Sequence, residues 1–238
     1  MCIRDRTENA LEPSLESFLS VANERVLAEF TKMIGGDNFE SALSTAMDAK
    51  VFEAIFPNVQ AQHHQHIKKR ATRLPKRLDV QLLSILWNTE LAEADAFLKK
   101  LTVSNQVKKA VLQGLSHGQN TPDSEEMHAC RVFLSPLDRS VAEDVLRVWT
   151  LILEDQSLPQ HWTKNCQRVL ENNDPLKVRD LDIKGKDLLS ECGFQPGPYV
   201  GDALRRCLDV VLQEPKKNKK TTLLETAKNY LNDLKNPL

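Results

Sequence analysis

Lys184-Gly185-Lys186-Asp187-Leu188-Leu189, then Cys192-Gly193, then Gln195-Pro196-Gly197-Pro198-Tyr199-Val200-Gly201: this stretch decides the fold. Gly185 is permissive at a helix start, and Asp187 in the first turn complements the helix dipole. Gly193 suits the left-handed residue that ends a short helix. Pro196 stiffens the turn, Gly197 fits the next cap, and Pro198 fits a first helical position, where its missing N–H costs nothing. The segment therefore predicts two helices meeting at a tight bend. Beyond it, Val200, Leu204, Leu208 and Val211 predict one apolar stripe, with Arg205 and Arg206 off that stripe.

Working outward, the same periodicity recurs along the 238 residues. From residue 15 to residue 34, Phe18, Val21, Ala22, Val26, Phe30 and Met33 fall at helical spacing until Gly35-Gly36 stops the run. Asp37 or Asn38 is placed to cap a second helix carrying Leu43, Ala46, Met47, Val51, Phe52 and Ile55, closed by Pro57. Further helices are predicted at 76–87, 90–101, 104–117, 138–153 and 159–171. No segment alternates with period two, so the expected fold is all-α, an elongated assembly of short helices without substantial sheet. Eight glycines and 5% aromatic residues point the same way.

A formal charge of −1 excludes a uniformly basic nucleic-acid binder but leaves room for local basic faces. Cys2, Cys130, Cys166, Cys192 and Cys207 are odd in number and scattered. That excludes a disulfide framework or zinc finger and fits a reducing cytoplasm. No apolar run is long enough to span a bilayer, so no membrane partner is expected. Met1-Cys2-Ile3-Arg4-Asp5-Arg6 reads as a foreign start, and residues 1–14 are expected to be non-native or disordered.

The 184–201 motif resembles the tail signature of bacterial CCA-adding tRNA nucleotidyltransferases and their poly(A) polymerase relatives. A second block resembles the same family: Asn23-Glu24-Arg25-Val26-Leu27-Ala28-Glu29-Phe30, with Ala42-Leu43 and Val51-Phe52-Glu53-Ala54-Ile55-Phe56-Pro57 after it, is similar to its neck helix and the helix that follows. The resemblance covers about residues 15–235. It implies neck helices at 15–58, a helical body at 59–172 and a tail at 173–238 with a helix–turn–helix element that contacts RNA. The tail departs in one respect: the interval from Leu189 to Gly193 is one residue longer than the commonest family form.

The family is of enzymes that add nucleotides, CCA or A alone, to tRNA 3′ ends. A catalytic head uses Mg2+ and CTP or ATP, and body and tail hold the tRNA. The resemblance therefore implies tRNA and the protein's own amino-terminal head as partners, with no cofactor held by this chain. The head would bring a Gly-Ser loop and an Asp-x-Asp pair for two-metal phosphoryl transfer. No Gly-Ser dipeptide occurs; Asp180-Leu181-Asp182 fits the letters of the pair but follows no strand-like segment and reads as a solvated loop. The neck's Glu-Asp-x-x-Arg nucleotide-reading motif belongs upstream of Asn23 and is not found there. The chain is accordingly expected to be inactive alone, the catalytic residues lying outside it. The alternative is a stand-alone, non-catalytic helical module that binds RNA or protein.

Candidate residues carry two readings each. Glu24, Arg25 and Glu29 form either a surface charge cluster or, by resemblance, a structural brace of the neck. The Pro-Gly-Pro turn is either a packing device or a phosphate site, its free N–H groups flanked by Lys184, Lys186, Arg205 and Arg206, with Gly197 and Gly201 admitting close approach. Residues 63–77 contain Lys68, Lys69, Arg70, Arg73, Lys76 and Arg77 without an acid, a solvated face or a phosphate track. His63, His64 and His66 lack a nearby carboxylate or cysteine and are not nominated as metal ligands. Trp87, Trp149 and Trp162 read as helix-core anchors.

Overall fold

The computed structural model describes residues 22–118, 120, 122, 124–155 and 161–235. Among these lie thirteen α-helices and no strand: α1 (Asn23–Gly35), α2 (Phe39–Asp48), α3 (Val51–Ile55), α4 (His64–Ala71), α5 (Leu78–Ile85), α6 (Leu91–Lys100), α7 (Asn105–Gly118), α8 (Met127–Leu134), α9 (Arg139–Asp155), α10 (His161–Glu171), α11 (Gly185–Glu191), α12 (Pro198–Gln213) and α13 (Lys220–Lys235). The all-α expectation holds. The readings placed on residues 1–21, including Phe18, Val21 and the foreign start, lie outside the described residues, as does the predicted helix start at Pro159.

The chain divides into two compact units, residues 1–120 with 140–160, and residues 121–139 with 161–238. In the first, α1 buries Phe30 and Ile34 as its spacing requires. Phe30 meets Phe56 edge-on at 5.3 Å, and Phe56 continues to Phe52 at 4.8 Å and Phe97 at 5.2 Å. The single second helix expected from Leu43 to Ile55 is instead two. Lys50 takes a left-handed conformation (φ 58°) and turns α3 so that Phe52 reaches this aromatic cluster. Asn38 stands at the N-cap of α2 as expected, but only its carbonyl is used, accepting the Ala42 N–H at 3.0 Å.

α5 is buried on every side, from Val80 to Ile85, and so runs through the middle of the first unit. Its buried Gln81 donates Nε2 to the carbonyls of Ala71 (3.0 Å) and Pro75 (3.1 Å), satisfying the end of α4. α7 packs against α5 through Gly114 and Gly118. A side chain at Gly114 would stand 2.8 Å from Leu83, and one at Gly118 would collide with Trp87. Trp87 meets Trp149 edge-on at 5.3 Å, and the Trp149 N–H donates to the Gly118 carbonyl. These tryptophans are anchors.

In the second unit α8 packs on α10, with Cys130 and Cys166 fully buried between them. Arg131 of α8 is buried. It bonds Asp174 at 2.6 Å and the carbonyls of Leu212 (2.9 Å) and Gln213 (3.2 Å), closing the carboxyl end of α12. Cys130, Cys166, Cys192 and Cys207 are all free thiols. No described helix is long and apolar enough to cross a membrane.

Candidate nucleic-acid interface

The bend between α11 and α12 rests on its own core: Leu181, Ile183, Leu188, Phe194, Ala203, Cys207, Val211, Leu223 and Ala227. The deepest line on α12 is Ala203, Cys207 and Val211. Val200, Leu204 and Leu208, expected to form the stripe, flank it half-buried. Small side chains lie at the centre because α11 and α13 both pack on α12 there.

Local bonding fixes the entry to α11. The Lys184 N–H donates to the Asp187 carboxylate at 2.7 Å, and the Asp187 N–H returns to the Lys184 carbonyl at 2.9 Å. The Lys184 N–H, aided by the Lys220 ammonium, holds the Asp187 carboxyl below its ordinary range. A lowered folded value means that the cap contributes fully above the ordinary value of 3.8 and is lost as pH falls through the folded one. Acidification below that range is therefore expected to lower the protection factor of the Lys184 amide, and Asp187→Asn to remove that pH dependence; NMR exchange rates divided by the intrinsic rate at each pH check both.

Gly193 takes φ 75° as the terminating residue, and the Phe194 N–H reaches back to Leu188 at 3.3 Å while its ring enters the core. Gly197 (φ 157°, ψ −175°) adopts a backbone open essentially to glycine alone and launches α12, with Pro198 in the first turn. Gly185 lies against Val200, where an added Cβ would come within 3.2 Å of its methyl. The Lys184-Gly185-Lys186 start of α11 is thus seated on the first turn of α12.

The outer face of this bend is open. A Cβ at Gly197 or Gly201 would meet nothing within 4 Å. Lys184, Lys186, Arg205 and Arg206 are all exposed. Arg205 pairs with Asp202 at 2.7 Å, and Arg206 lies over the Tyr230 ring at 5.5 Å. An exposed ion pair such as Arg205–Asp202 is worth about 0–1 kcal/mol, which leaves Arg205 open to another anion.

The run at 63–77 is placed differently. Arg70 is buried, its Nε on the Ser84 hydroxyl at 3.3 Å. Lys68 donates to Ser44 at 2.6 Å, and Arg73 pairs with Glu154. Lys76 bonds the Gly36 carbonyl at 2.8 Å, and Arg77 bridges Asp79 and the buried Asp144. Lys69 is exposed. Most of this stretch fastens helices of the first unit together. Glu24, Arg25 and Glu29 are exposed on α1, and Glu29 takes Lys32 as partner at 2.8 Å.

Three letter patterns resolve as architecture. Asp180 accepts the N–H groups of Leu176 and Lys177, Asp182 accepts that of Lys220, and Leu181 between them is buried. Both carboxylates are spent on backbone, and no cluster among the described residues is suited to a metal ion, so Mg2+ does not fit here. Glu143-Asp144-Val145-Leu146-Arg147 has the Glu-Asp-x-x-Arg letters, but Arg147 turns onto Asp144 at 3.0 Å and Asp144 is buried against Arg77. Gly114-Leu115-Ser116-His117-Gly118 has the letters of a nucleophile elbow. It lies within α7 rather than on a strand-to-helix turn, and Ser116 bonds the Gln113 carbonyl and His117.

Comparison with known proteins meets this geometry. Residues 78–227, well over half of the chain, match the family described as tRNA nucleotidyltransferase domain 2. The chain belongs to the tRNA nucleotidyltransferase family. Residues 1–62 match the family described as "Probable RNA and SrmB-binding site of polymerase A". The CCA-adding enzyme of Lactococcus lactis subsp. cremoris (strain MG1363) is 22% identical over 237 residues, 96% of this chain and 54% of that protein. Those of Bacillus cytotoxicus and Leuconostoc citreum are 24% and 27% identical, covering 93% and 98% of this chain and 55% and 56% of theirs. The chain spans about half the length of the curated relatives it matches. No solved structure is matched. The nucleotidyltransferase match takes in the whole α11–α12 bend, whereas residues 63–77 fall between the two matched spans.

Proposed function

We propose that this chain is the RNA-holding part of a tRNA nucleotidyltransferase, gripping tRNA while a catalytic segment elsewhere in the protein adds CCA or A to the 3′ end. The observation that carries the reading is the open bend. Gly197 and Gly201 leave the backbone of a 16-residue helix uncovered at its positive end, with Lys184, Lys186 and Arg205 exposed around it.

The chemistry follows from those groups. First-turn N–H groups such as that of Tyr199 have no helical acceptor and suit a phosphate oxygen. Arg205 exchanges Asp202 for a second phosphate. Lysines on the abutting start of α11 supply longer-range attraction without reading sequence. Recognition of this kind selects the shape of a folded RNA. Glu24, Arg25 and Glu29 brace the neck, α1, and Lys68, Lys69 and Arg73 are secondary to the bend.

Two measurements test the reading. Affinity for tRNA is expected to exceed that for an unstructured RNA of equal length at both low and high salt; equal affinities that vanish together with salt would refute it. Gly201→Ala is expected to stabilise α12 by about 0.5–1 kcal/mol, since nothing crowds the site, yet to lower tRNA affinity about fivefold. Melting temperature and anisotropy titration read the two effects separately.

A further inference from the structure

We infer that Tyr199 is a stacking platform for an exposed nucleobase of the bound RNA. The inference rests on the RNA-holding reading above and names a chemistry at the bend other than phosphate contact.

Among the described residues Tyr199 is 55% exposed, ahead of the other exposed large apolar residues: Val132 (45%), Leu91 (41%), Leu189 (39%) and Leu234 (39%). It stands one turn before Ala203 in the row Tyr199, Ala203, Cys207 and Val211. The last three of these are fully buried. The row therefore leaves the core at its first member, and more than half of the Tyr199 surface faces solvent. An aromatic surface held in water at a helix start is an unfilled contact.

The backbone that carries the ring is also constrained. Pro198 precedes it in the first helical turn, Gly197 before that is locked in a conformation particular to glycine, and Tyr199 itself has only two side-chain torsions to fix. Little entropy remains to be lost when a planar partner arrives.

Its surroundings select the partner. Val200, the next residue, is the one against which Gly185 is seated, so Lys184 and Lys186 are brought to the turn that carries the ring. Pro196, Gly197 and Pro198 are exposed, forming an uncharged lip, while Gly201 leaves backbone uncovered on the other flank. An aromatic face beside cations and uncovered N–H groups suits a nucleotide whose base lies on the ring while its phosphate meets the charges. Every base has such a face, so the contact tolerates sequence and demands only an unstacked or terminal base.

The full chain carrying Tyr199→Ala or Tyr199→Phe tests this. Alanine is expected to weaken tRNA binding about 5- to 100-fold, and phenylalanine to bind like the parent. Three readouts exclude a merely structural effect. The melting temperature stays unchanged, the salt dependence of tRNA binding keeps its slope, and affinity for heparin, a polyanion without bases, is unaltered. Arg205→Ala should instead reduce the salt slope by about one unit. Parental tRNA affinity in Tyr199→Ala would overturn the inference, as would equal losses in the alanine and phenylalanine variants or a parallel loss of heparin binding. A parent chain without preference for tRNA would instead refute the RNA-holding reading itself.

Discussion

Arg131→Ala is expected to destabilise the second unit by roughly 3–5 kcal/mol, the usual cost of removing one partner of a buried ion pair. The variant would leave the Asp174 carboxylate buried without its counter-ion, and would strip the Leu212 and Gln213 carbonyls of their donor. The magnitude reflects the stranded charge more than the worth of the pair. Arg131→Met combined with Asp174→Leu is accordingly expected to recover most of the loss. Because the chain has two units, one global unfolding energy is ill-defined. Native-state hydrogen exchange of the last turn of α12 reports the local value. A loss below about 1 kcal/mol there would show that the pair does not hold the helix end.

The second large effect separates adjacent leucines. Leu188→Ala is expected to cost about 2–5 kcal/mol, since Leu188 is fully buried at the centre of the tail core. Leu189→Ala should stay within about 0.5 kcal/mol, because that side chain is 39% exposed. Denaturant midpoints followed by hydrogen exchange across α11–α13 distinguish them. Similar losses in both variants would mean that α11 is rotated from the position described. As Leu188 anchors the helix that carries Lys184 and Lys186, its loss should also weaken tRNA binding, whereas Arg131→Ala acts from the opposite end of α12.

The sequence exposed local devices and concealed distant ones. Asp187, Gly193 and Pro198 each act within a few residues of themselves, and each does what its chemistry suggests, whereas Gly185 also admits the distant Val200. Longer helices with full periodicity are legible too: the helix expected at 104–117 is α7 and that at 138–153 is α9, while the one expected at 76–87 is the shorter α5. α8 is also eight residues, barely two turns of pattern, and Glu126 gives it no side-chain cap. The break at Lys50 was hidden because a lysine rarely adopts positive φ without tertiary cause.

The same division runs through the candidate interface. Gly201 is legible as a residue without a side chain, but only the structure shows that no described residue fills the space. The basic run at 63–77 looked continuous because its partners lie far away in sequence: Ser44 for Lys68, Glu154 for Arg73 and Asp144 for Arg77. A charge pattern records how many cations stand together; it does not record which are already neutralised. Ala203 and Cys207 were overlooked as core for a related reason. Small residues carry a weak hydrophobic signal, yet close helix packing places them at the centre.

Hydrogen–deuterium exchange of the full chain with and without tRNA puts the central claim to its most direct test. Protection by tRNA should concentrate in residues 184–206, strongest at the first turn of α12, and should persist at a salt concentration that abolishes binding to unstructured RNA. Protection confined to residues 63–77, or none at the bend while tRNA is bound, would contradict the account.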